Sequence, residues 1–233
     1  MRESSKLFVD INDSIIDNRI MKKIPDNSII LKRDDKIISN YLSYCSIEND
    51  LEFISEATSE LISIRLRDNE HITDNSYYDF NLILKRSLFI SILTSYGRCF
   101  KFSKGRISLN EQFITRDYSE NLLSKENALL FHRHMLNLRD KFIAHVDETF
   151  YERTIGFMHF ELNDRLLDVS INYVTGILYS FNENELENLL ILSRVLLTNV
   201  EQKKTQITNK IINKFSRDEL ILLGLKAIKG QSL

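Results

Sequence analysis

One proline, Pro25, and six glycines are spread over 233 residues. Glycine and proline are the strongest interrupters of regular structure, because one adds backbone freedom and the other removes a donor and fixes φ. So few of them exclude a chain of many short strands joined by tight turns, and predict long, uninterrupted helices. Hydrophobic residues make up 43% and charged residues 27% of the chain, a balance that buries a core rather than staying disordered. The predicted fold class is mainly α. The length accommodates one large domain or two small ones, and the chain reads as one helical domain over residues 1–233.

Periodicity divides it further. Residues 1–32 hold apolar residues at helical spacing interleaved with Asn and Asp, and read as an N-terminal extension of uncertain structure. Asp34 and Asp35 suit a helix start, where the macrodipole favours negative charge. "DDKIISNYLSYCSIENDLEFISEATSELISIRLR" predicts two helices split near "SIEND", the second carrying Leu51, Ile54, Leu61 and Ile64 on one face. "DNEHITDNSYYD" reads as a polar loop, and "YYDFNLILKRSLFISILTSYGRCF" as a long apolar helix. In the loop that follows, Ser108 and Glu111 have the spacing of a capping box. The next helix is predicted over residues 125–145. Its Phe131, Met135, Leu138 and Phe142 fall at i, i+4, i+7 and i+11 and form one apolar stripe.

After that helix the period changes from 3.6 to 2. Leu167, Val169, Ile171 and Tyr173 alternate with Asp168, Ser170 and Asn172, the pattern of a half-buried strand. Asn163-Asp164 lies between two such runs, so residues 152–180 read as a small β-hairpin inserted before the last long helix. That helix, "ENELENLLILSRVLLTNVEQKKTQITNKIINKF", places Leu186, Leu190, Leu197, Val200, Ile207 and Ile211 along a face. A short helix, "RDELILLGLKAI", follows it.

The formal net charge is −2 and the pI about 6.2, so any contact with nucleic acid must come from a local patch rather than a global basic field. Cys45 and Cys99 make neither a disulfide framework nor a zinc site and read as thiols of a reducing cytoplasm. The N-terminus lacks the apolar core of a signal peptide. No stretch reaches the ~20 apolar residues of a membrane span. The expectation is a cytoplasmic protein without membrane contact.

There is no Gly-rich phosphate loop and no nucleophile elbow. His132 and His134 stand two apart, so a helix turns them about 200° away from one another, whereas a two-histidine metal face needs i, i+3 or i+4 spacing. They read as exposed helix histidines. His71 falls in the polar loop, and His159 in a predicted strand, where a structural role fits. No metal or other cofactor is called for. That leaves Arg139, Asp140 and His145 in "LRDKFIAHVD". On an ideal helix His145 lies about 40° from the centre of the apolar stripe and Arg139 about 80° to its other side. Two accounts fit these residues. His145 serves structure near a helix C-terminus, where it gains from the dipole and bonds loose carbonyls, or the set carries chemistry.

The stretch resembles the motif of the HEPN family, an arginine, a polar residue and then a histidine at short range. Here Asp140 is the polar residue, and five residues separate Arg139 from His145. The wider form R-D-K-x-x-A-H-x-D is similar to that of HEPN-like proteins of abortive-infection and phage-defence systems. The resemblance covers about ten residues in detail and the helical architecture elsewhere; the hairpin departs from the minimal family bundle. It implies a HEPN-like helical bundle, a homodimer with a composite cleft at the seam, and a metal-independent endoribonuclease. It implies His145 as general acid/base, Arg139 as phosphate clamp and Asp140 as their support, with RNA as substrate and a neutralising antitoxin or other defence-system subunit as partner. A catalytically silent HEPN-like binding or scaffold subunit is the alternative.

Overall fold

The computed structural model describes residues 28, 31, 35–70, 75–115, 123–141, 152–163, 166–177 and 181–228. Helix α1 spans Lys36–Glu70 and α2 Asn75–Phe100. A single turn, α3, covers Gln112–Thr115, and α4 covers Lys125–Arg139. Strands β1 (Glu152–Asn163) and β2 (Leu166–Ile177) come next, then α5 (Glu183–Ile212) and α6 (Arg217–Ile228). The protein is mainly helical, as the scarcity of chain breakers requires. It divides into two compact units, one from residues 1–49, 102–108 and 198–233, the other from 50–101 and 109–197.

In the first unit Ile38 is fully buried beneath Leu31, Leu42, Ile211, Phe215 and Leu223. Asp35 caps α1, its Oδ1 accepting from the N–H groups of Ile37 at 2.8 Å and Ile38 at 3.1 Å. This is the role that negative charge at a helix start predicts. Lys204 of α5 donates to Glu48 of α1. Helix α6 begins with a capping box: the Ser216 N–H donates to Glu219 at 2.8 Å and the Glu219 N–H to Ser216 Oγ at 3.2 Å.

In the second unit the buried rows are Leu51, Ile54, Ala57, Leu61 and Ile64 on α1, and Phe89, Ile92, Leu93, Tyr96 and Cys99 on α2. The steps of three and four keep each row on one face. Helix α2 packs against α4, whose Phe131, Met135 and Leu138 are buried. Helix α5 starts with a second capping box. Asn182 Oδ1 accepts from the Glu185 N–H at 2.9 Å, and Glu185 Oε2 accepts from the Asn182 N–H at 2.8 Å. In this unit α5 buries Leu186, Leu189, Leu192 and Leu196, while the predicted Leu190 is only half-buried. The true face is rotated slightly from the expected one.

Three local expectations are corrected. The split near "SIEND" does not occur; α1 runs through it. Ile47, Leu51 and Ile54 are all fully buried there, so the i, i+4, i+7 apolar row continues across the polar residues and holds the helix together. The polar loop is also shorter than predicted, since α1 continues to Glu70 and α2 begins at Asn75. Ser108 and Glu111 form no capping box. Asn110 Oδ1 takes the Gln112 N–H at 3.1 Å, and Glu111 instead pairs with Arg133 at 3.1 and 3.3 Å. A bidentate guanidinium is a stronger partner than a single backbone N–H.

The hairpin is present and antiparallel, with Asn163 opposite Leu166 as the last pair. It is not small, since each strand has 12 residues against about 5–6 for an ordinary strand. The register puts Leu167, Val169, Ile171 and Tyr173 opposite Leu162, Phe160, Met158 and Gly156, so directly opposed residues make one face. That face was expected to be half-buried. Its two described side chains, Met158 and Ile171, are 60% and 82% exposed. Alternation fixes which residues share a face, not whether anything covers it.

Candidate functional site

Helix α4 organises the candidate residues. Ser124 caps it, accepting from the Asn127 N–H at 3.2 Å. Arg139 is its last residue, and Asp140 continues the turn at φ −66° and ψ −44°, its N–H directed to the carbonyls of Asn137 and Leu136. The predicted helix extended to residue 145. His145 and Phe142 lie outside the described residues, as does His71.

Arg139 and Asp140 come together with a residue the sequence did not single out. Asp140 Oδ1 accepts from Arg139 Nη1 at 3.0 Å, and its Oδ2 accepts from Lys101 Nζ at 2.6 Å. Burial alone would raise the Asp140 carboxyl, but the hydrogen bonds from Lys101 and Arg139 outweigh it and hold the pKa below its ordinary value. All three side chains keep contact with solvent, at 43% exposure for Lys101, 38% for Asp140 and 32% for Arg139.

The stem of Arg139 lies against α2. A Cβ at Gly97 would meet Arg139 Cγ and Nε at 3.0 Å and Cδ at 3.1 Å, so the glycine lets the side chain cross the helix closely there. Lys101 stands one turn further on, its N–H bonded to the Gly97 carbonyl at 2.8 Å. The signal in the sequence was the lone glycine in the apolar run "SYGRCF", since a glycine inside a helical pattern usually marks a close approach.

The histidines of α4 correct the sequence reading, which took both as exposed. His132 is buried, with Nδ1 hydrogen-bonded to the Tyr96 hydroxyl at 2.8 Å and its ring 4.4 Å from that of Phe100. Desolvation lowers its pKa to about 4, so it is neutral at pH 7. Burial likewise pushes the Tyr96 hydroxyl well above 10. His134 is half-buried and bonds Glu185 at 2.9 Å, tying α4 to the cap of α5. Burial would raise the Glu185 carboxyl; the bonds from His134 and the Asn182 N–H bring it below its ordinary value. The two rings point apart, as their spacing requires. Among the described residues no three His, Cys, Asp or Glu side chains are grouped to hold a metal ion.

The apolar stripe of α4 could face a second subunit or the chain's own core. Its Phe131, Met135 and Leu138 are buried by the chain itself. The stripe therefore gives no reason of its own for a dimer. No helix among the described residues is long and apolar enough to cross a membrane. No family model, curated protein or solved structure matches the chain.

Proposed function

We propose that this chain is a metal-independent endoribonuclease of HEPN-like type, acting within a defence or toxin–antitoxin system. Two copies would join their motifs in one cleft, and an antitoxin or other defence subunit would restrain it. The observation that supports this reading best is the pair of cations, Arg139 and Lys101, that Asp140 bridges where α4 ends. Arg139 is held across Gly97 and beside Lys101, on the turn from which the motif runs on to His145.

RNA carries its own nucleophile, the 2′-hydroxyl. Cleavage needs that proton removed, the leaving oxygen protonated, and the negative charge on the phosphoryl oxygens balanced. Histidine titrates close to neutral pH and suits the proton transfers. A guanidinium is permanently charged and meets two phosphate oxygens at once. Asp140 is a positioning residue in this scheme, since both of its oxygens are taken up by cations. The acidic average charge suits an enzyme that meets RNA only at a local cationic site.

The rival reading is a catalytically silent HEPN-like binding subunit. It draws on the same ion pairs, because Asp140 already engages both cations. Incubating purified protein with total RNA and mixed tRNA in EDTA separates the two. The ribonuclease reading expects fragments ending in 2′,3′-cyclic phosphate, no cleavage of DNA, and loss of cleavage in His145→Ala. A wild type that leaves RNA intact, or a His145→Ala variant that still cuts, sinks it.

A further inference from the structure

We propose that Arg139 and Lys101 form a two-cation clamp for a phosphodiester, set in place by Gly97 and latched, when no ligand is bound, by the carboxylate of Asp140. The inference rests on the reading of Arg139 as a phosphate-binding residue and adds the second cation, the notch and the latch. Asp140 places one oxygen on each cation, at 3.0 Å from Arg139 Nη1 and 2.6 Å from Lys101 Nζ. A phosphodiester also offers two anionic oxygens on one atom. The carboxylate thus occupies the position an incoming phosphate would take.

Three features make this more than a chance surface pair. The Arg139 stem runs closely over Gly97, where an added Cβ would stand only 3.0–3.1 Å from its Cγ, Nε and Cδ and push the side chain aside. Lys101 directly follows α2, its N–H bonded to the Gly97 carbonyl, and Arg139 ends α4, which packs on α2, so the two cations are brought together from the ends of two packed helices. The trio carries two positive charges against one negative and is open to solvent, so an anion can reach it and is attracted to it. Asp140 is the backbone neighbour of Arg139. Once displaced it stays within reach and closes the clamp again when the ligand leaves.

The test uses the full chain and a fluorescein-labelled 2′-O-methyl RNA oligonucleotide of mixed sequence, which lacks the nucleophile and cannot be cut by 2′-hydroxyl attack. Anisotropy titrations at several KCl concentrations read affinity and its salt slope. Asp140→Asn removes the competing anion and is expected to bind about two- to fivefold more tightly, the range that corresponds to an exposed ion pair. Lys101→Gln is expected to bind more weakly and to lower the salt slope by about 0.7, one phosphate contact on a single strand. Melting curves accompany both variants, whose side chains are partly exposed and leave the core untouched. Asp140→Asn that binds no better than wild type overturns the latch. An unchanged slope in Lys101→Gln, or no binding by either wild type or Asp140→Asn, overturns the clamp. If the clamp binds as described while wild type never cuts ordinary RNA, the ribonuclease reading falls and the clamp stands.

Discussion

Helix α4 puts two polar sites seven residues apart to opposite uses. At His132 the polar atom is sealed between Tyr96 and Phe100, its one described hydrogen bond is made inside, and the ring is kept neutral. At Arg139 the cation lies across a glycine, reaches solvent and stays charged beside Lys101 and Asp140. Helix and partner helix are the same in both cases. What differs is the partner residue: a bulky aromatic hydroxyl closes one site, and a missing side chain opens the other. A dry, satisfied group stabilises a fold, whereas a half-wet charged group remains available to a ligand. Changes at the first site should therefore alter melting, and changes at the second should alter binding or turnover.

On the ribonuclease reading, the largest expected effect is on cleavage. Arg139→Ala should lower RNA cleavage about 10²–10³-fold, as for other preorganised donors to transition-state charge, and His145→Ala about 10²–10⁴-fold. Arg139→Lys should not restore full activity, since an ammonium cannot make the two-point contact. Single-turnover cleavage assays beside melting curves check this. If Arg139→Ala instead loses its stability and wild type has no activity, the two sites are alike and the contrast is broken.

The next effect is in the packing that both sites share. Met135 is fully buried on α4 between them, and Met135→Ala should destabilise the fold by about 2–5 kcal/mol in urea titrations. A shift below the lower end would mean that the stripe is less tightly covered than its burial indicates.

The dry site should show itself in acid. His132 titrates at about 4 in the folded chain against 6.5 ordinarily, so between those values the unfolded chain binds the extra proton. Its contribution is fully present above about pH 6.5 and is lost as the pH falls towards 4. His132→Ala should flatten that part of the stability–pH curve. It should also cost about 1–3 kcal/mol at pH 7, because the buried Tyr96 hydroxyl loses this partner. An unchanged curve would show that the ring is not sealed.

The smallest effect is expected from Lys101→Gln, about 0–1 kcal/mol in stability, since the pair it breaks is exposed. A larger loss would make Lys101 a structural tie and blur the distinction between the two sites.

Much of this was legible in the sequence. One proline and six glycines required long helices, and the periods of 3.6 and 2 placed the hairpin and most helix faces. The short helix "RDELILLGLKAI" has the predicted bounds. Asp35 caps where a negative residue should. These are properties of short stretches of chain, where backbone sterics and repeat spacing act on neighbours in sequence. Tertiary structure decided the rest. It carried α1 through "SIEND" because a buried row outweighs local polar preference. It drew Glu111 from a cap to Arg133, buried His132 against Tyr96 and left Met158 and Ile171 exposed. It also brought Lys101 and Gly97, some forty residues away in the chain, to Arg139 and Asp140. Burial and ion pairing depend on which groups meet in space, and a period measured along one helix holds no information about what the neighbouring helix presents.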